Sequence, residues 1–127
     1  MTLVDTNIIL SWLLVDDAKY ASLAEQLVND AGESELIITD VILAEVFYVM
    51  RGKAYSRGQI VSVINALAAQ PAFRFEASIA VIKRLAALIS STKLDFADCY
   101  LLARAVQAKQ PLYSFDAALN KIYQSLT

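Results

Sequence analysis

Brief β-branched or aromatic runs alternate with longer stretches of helical period along the 127 residues, and that alternation limits the folds open to this chain. Leu3-Val4, Leu36 to Thr39, Phe73 to Phe75 and Leu112 to Ser114 read as strands. Between them, helices are expected over Asn7–Val15, Ala18–Asn29, Val41–Gly52, Ser56–Ala69, Ala77–Ser90, Phe96–Ala108 and Ala117–Leu126. Asp40 is expected to cap the helix that follows it. Strands separated by helices pair in parallel through crossovers, so the pattern predicts an α/β fold with a short, mostly parallel sheet. No repeat, linker or low-complexity tract interrupts it, and the length suits a single domain over residues 1–127. At 57% hydrophobic residues, the chain can bury a large core and still keep apolar surface for a partner.

The opening stretch "MTLVDTNIIL" sets a carboxylate, Asp5, between two apolar runs. A buried strand, a tight turn and a buried helix explain the pattern, with Asp5 at the carboxyl end of the strand. In open parallel sheets, sites gather beyond those ends. Asp40 and Asp116 also follow expected strands. For a lone Asp, a turn or helix-cap role is the simpler reading, and Asp40 receives it. Glu45 is different. It is the only charge in "VILAEVFYVM", so its helix is expected to be buried nearly all round. A carboxylate there needs an ion pair, with Arg51 or Arg104, or a role in a site; the site role is favoured. In "LDFADCYLLA", Asp95 suits the N-cap position and Asp98 the third helical position. Asp98 leads directly into an apolar stretch and ranks above Asp95 as the inward-pointing acid.

Composition narrows the chemistry. There is no histidine and one cysteine, Cys99. Ser-His-Asp and Cys-His triads, paired-histidine ribonuclease chemistry and His- or Cys-ligated zinc are thereby excluded. Hydrolysis would have to rest on carboxylates and an oxygen-bound metal. A net charge of −2 counts against passive coating of nucleic acid, but not against an acidic pocket that holds cations. The basic loop "RGKAYSRG" offers Arg51, Lys53 and Arg57 as contacts for RNA phosphates. The uncharged run containing Gln59 to Phe73 is too short and too polar for a membrane span, and no basic leader precedes an apolar segment. One cysteine fits a reducing, cytoplasmic setting.

The order "LVDTN", "LAEVFYVM", "DFADCYLLA" and "LYSFDAAL" resembles the PIN-domain ribonucleases, and most of all the small VapC-type toxins of bacterial and archaeal toxin–antitoxin pairs. The resemblance extends over essentially the whole chain. It implies a three-layer α/β/α domain whose acids share one pocket, hold Mg²⁺ or Mn²⁺ and cleave RNA. Carried over by motif, that pocket is Asp5, Glu45, Asp98 and Asp116, with Asp95 as a second acid beside Asp98. Thr6 and Asn7 match the polar pair after the first acid, and Ser114 stands where the family often has Thr. The resemblance further implies a homodimer and a small cognate antitoxin whose tail enters the pocket. Two other readings keep the fold: a house-keeping RNA-processing nuclease, and a degenerate module that only binds proteins. Intact acids argue against the latter.

Overall fold

The computed structural model describes residues 1–14 and 17–127. Three strands, β1 (Thr2–Leu3), β2 (Leu36–Ile38) and β3 (Phe73–Phe75), form a parallel sheet in the order β1-β2-β3. Thr2 pairs with Leu36, and Leu36 with Phe73. Among the described residues there are seven helices: α1 (Thr6–Leu13), α2 (Ala18–Asp30), α3 (Asp40–Gly52), α4 (Arg57–Ala69), α5 (Ile79–Ser91), α6 (Phe96–Gln107) and α7 (Ala117–Leu126). The chain is therefore an α/β fold with a short parallel sheet, as the alternation of elements predicts. Val15, the expected end of the first helix, lies outside the described residues.

Local chemistry starts these helices. The Thr39 hydroxyl accepts from the Ile42 amide and caps α3, so Asp40 is the first residue of that helix and not its cap. Ser56 and Gln59 form a reciprocal capping box on α4, which satisfies two otherwise orphaned amides. Ser78 caps α5 through the Val81 amide. The core is built from one face of each helix: Ile9 of α1, Leu43, Phe47 and Met50 of α3, Ile64 and Leu67 of α4, Leu85 and Ile89 of α5, and Leu102 of α6.

Two further expectations are corrected. α3 is not buried all round: Val41, Glu45 and Tyr48 form an exposed stripe. The helix packs on α1, α4 and α6 through Leu43, Val46, Phe47 and Met50, and nothing requires an apolar residue to be covered merely because it is apolar. The segment Leu112 to Ser114 is not a strand. Its polar groups turn toward α7: the Asn120 side-chain amide donates to the Ser114 carbonyl at 2.8 Å, and the Asp116 amide donates to the Ser114 hydroxyl at 2.9 Å. Tyr113 and Phe115 are left fully exposed. No helix among the described residues is long and apolar enough to cross a membrane.

Candidate acidic site

Each candidate acid is delivered by the start or the middle of a helix. Asp5 follows β1 and is the N-cap of α1; its Oδ1 accepts from the Thr6 amide at 2.8 Å. Asp116 is the N-cap of α7, with Oδ1 accepting from the Leu119 amide at 3.0 Å. In both, one carboxylate oxygen serves the cap and the other is not consumed by it. Asp98 stands in the first turn of α6, and Glu45 on the exposed stripe of α3. The elements are linked in sequence by packing: α1 on α3, α3 on α6, α6 on α7.

The structure brings Asp116 and Asp95 within electrostatic reach of Asp98. Partial burial pushes the Asp98 carboxyl above the usual Asp range, and the charges of Asp116 and then Asp95 push it further. Among the described residues, no three acidic or other ligating side chains converge at metal-binding distances.

The neighbours of the acids behave differently from one another. Thr6 is only 5% exposed, and its Oγ1 is a buried hydroxyl without a partner among the described residues. An unsatisfied hydroxyl of this kind typically costs about 1–3 kcal/mol, so a polar occupant beside Asp5 would be favoured. Asn7 lines a groove of about 450 Å³ between α1 and α2, along with Ile8, Tyr20 and Leu23. Ser114 holds the turn that presents Asp116.

Asp95 is the N-cap residue of α6 by position, yet its side chain makes no cap hydrogen bond. It reaches α3 instead. The Tyr48 hydroxyl donates to Oδ2 at 3.0 Å, and Arg51 Nη1 donates to Oδ1 at 3.0 Å. Arg51 therefore pairs with Asp95 and not with Glu45. The carboxylate in turn raises the Tyr48 phenol, second to the effect of burial. Asp40 accepts from the Tyr100 hydroxyl at 2.5 Å, while its own amide donates to Glu76 at 3.1 Å. Burial and then this bond push Tyr100 up to about 12. Sequence reasoning missed Tyr48, Tyr100 and Glu76. Glu76 follows β3 directly, and that position was the available signal.

One residue of the basic loop already has partners within the fold. Arg57 is only partly exposed and its guanidinium is engaged: Nε donates to the Ile89 carbonyl at 2.7 Å and Nη2 to the Leu94 carbonyl at 2.7 Å. It closes the C-terminal end of α5 and the turn into α6, with its guanidinium 5.9 Å from the Phe47 ring centre. Arg57→Ala should therefore cost stability, by about 2 kcal/mol for charge-assisted bonds lost to part-buried carbonyls. Denaturant titration checks this; an unchanged midpoint would return Arg57 to the phosphate-binding candidates. Lys53 is exposed at the end of α3, and Arg51 is about half exposed despite its pair.

The donor set suits a hard divalent cation in kind. Carboxylates are its preferred ligands, and a cation would relieve the repulsion that acts on Asp98. What the structure lacks is a closed coordination shell. No curated protein and no solved structure matches the chain. A family model does match, from residue 2 to residue 124, and takes in the whole sheet, helices α1 to α6 and most of α7: the chain belongs to the PIN domain family.

Proposed function

We propose that this protein is a metal-dependent endoribonuclease that hydrolyses RNA phosphodiesters and serves as the toxin of a type II toxin–antitoxin pair. PIN domains are a nuclease family, typically dependent on a metal. The observation that carries the reading is Asp98, partly buried in the first turn of α6 and within electrostatic reach of Asp116 and Asp95. Carboxylates held together against their mutual repulsion, in a chain of this family, suit the binding of a cation. Asp5, Glu45, Asp98 and Asp116 would hold Mg²⁺ or Mn²⁺, with Thr6 beside Asp5 and Asp95 behind Asp98. When bound, the ion supplies an acidic water as nucleophile and charge stabilisation at the phosphoryl oxygens. The caps on α1 and α7 hold Asp5 and Asp116 in place beforehand, so little ordering is left to the moment of binding. Arg51 and Lys53, exposed at the end of α3, would contact RNA phosphates.

Mn²⁺ at millimolar concentration should raise the melting temperature, because the ion binds the native state alone. Asp5→Asn and Asp98→Asn should each remove that rise. A wild-type melting curve indifferent to Mn²⁺ would sink the proposed ligand set. Homodimerisation and capture by a small cognate antitoxin belong to the same proposal. Exposed Tyr20, Leu23 and Leu27 on α2 supply apolar surface for such contacts. Light scattering at micromolar concentration should give the mass of a dimer; a monomer would remove that part.

A further inference from the structure

α6 is tied to α3 at two levels. Near the C-terminal end of α3, Tyr48 and Arg51 both hold Asp95, the residue that begins α6. At the N-terminal end of α3, Asp40 accepts from Tyr100, five residues further along α6. The contacts run in opposite order along the two helices. Glu45 lies between the two anchor points on α3, and Asp98 lies between the two on α6. The ties thus bracket the acids that the proposed function assigns to these helices.

A structural explanation for the Asp95 tie is weak. The Arg51 and Asp95 side chains are 56% and 46% exposed, and pairs of that kind contribute little to stability. Asp95 also forgoes the usual work of an N-cap. A carboxylate that gives up capping its own helix in order to reach another sets the relation between the two helices. Tyr48 adds direction: its ring packs edge-on against Phe47 at 5.4 Å and near Phe96 at 6.3 Å, so its hydroxyl has a fixed origin.

We infer that Tyr48 with Asp95, and Tyr100 with Asp40, form a two-point latch that sets the register of α6 against α3 and so the spacing of Glu45 and Asp98. Tyr48, Asp95 and Tyr100 are positioning residues for the nuclease site, and this rests on the function proposed above. The latch acts on geometry, so its loss lowers turnover and cation affinity without weakening RNA binding.

The test is a double-mutant cycle on Tyr48→Phe and Asp95→Ala, with Tyr100→Phe alongside. Cleavage of a random-sequence fluorogenic oligoribonucleotide gives kcat and KM, calorimetry with Mn²⁺ alone gives affinity, and melting curves report folding. Each single variant should lose about tenfold or more in kcat, as displaced catalytic groups do, with KM changed by less than about twofold. Mn²⁺ affinity should weaken in step. The Tyr48→Phe/Asp95→Ala double variant should be no worse than the poorer single, because both cut one link. Tyr48→Phe keeps the ring contacts and should melt with wild type, so a folding defect would not account for its loss. Multiplying losses, or unchanged kcat and Mn²⁺ affinity in the singles, would overturn the latch. Asp98→Asn separates the two claims. If it abolishes Mn²⁺ binding and cleavage while the latch variants stay silent, only the latch falls. If the wild type neither binds Mn²⁺ nor cleaves, the proposed function falls and the latch with it.

Discussion

Asp98→Asn should abolish RNA cleavage, by about a hundredfold at least, and at the same time make the metal-free protein more stable at neutral pH. The two effects have one cause. In the folded chain, burial and then the charges of Asp116 and Asp95 hold the Asp98 carboxyl above its ordinary range. A carboxyl raised in this way binds its proton more tightly folded than unfolded. Stability therefore falls as pH climbs from the unfolded pKa through the folded one, and the full cost is present above the folded pKa. Asparagine carries no charge and escapes that cost. Asp98 is partly exposed, so the gain is modest, of the order of 1 kcal/mol or less and about 2–5 °C in Tm. The advantage should vanish in acid, below the unfolded pKa, where Asp98 is protonated in both states. Melting curves across pH for the two proteins check this, and cleavage assays check the first effect. An Asp98→Asn protein that melts lower at pH 7 would show Asp98 to be a structural partner instead. One that still cleaves RNA would remove it from the site.

Expression of the wild-type chain alone should arrest bacterial growth, and Glu45→Gln should restore growth while leaving the protein folded. Glu45 is the most discriminating residue for this purpose. In a buried ion pair, its loss would cost roughly 3–5 kcal/mol and threaten the fold. In the structure Glu45 is exposed, and Arg51, one of the two cations considered as its partner, pairs with Asp95. Exposed substitutions of this kind usually stay within about 0.5 kcal/mol. Growth curves and a melting curve of the purified variant read both arms. A folded Glu45→Gln protein that still arrests growth would eliminate Glu45 from the site. A wild-type chain that never arrests growth would favour the house-keeping nuclease reading over the toxin.

The elements themselves were legible because their causes are local. Ser56 and Gln59 cap each other across three residues, and Pro71 and the alternating Phe73-Arg74-Phe75 mark their own strand. Parallel pairing followed from helices standing between strands. The positions of Asp5 and Asp98 at the start of helices also followed from neighbouring residues alone. Tertiary contacts decided what those residues then do. "VILAEVFYVM" reads as buried because it is apolar, but only the face of α3 turned to α1, α4 and α6 is covered, and Glu45 lies off that face. "LYSFD" has the composition of a strand, yet its polar groups are claimed by Asn120 and Asp116 of the α7 turn. Arg57 looked like a free cation until α5 and the turn into α6 placed two carbonyls within 2.7 Å of it. Asp95 looked like a cap until Tyr48 and Arg51, more than forty residues earlier, took its carboxylate. Caps and alternation depend on neighbours along the chain, so sequence alone determines them; exposure and side-chain partnership depend on which surfaces meet in space, and only the folded structure decides those.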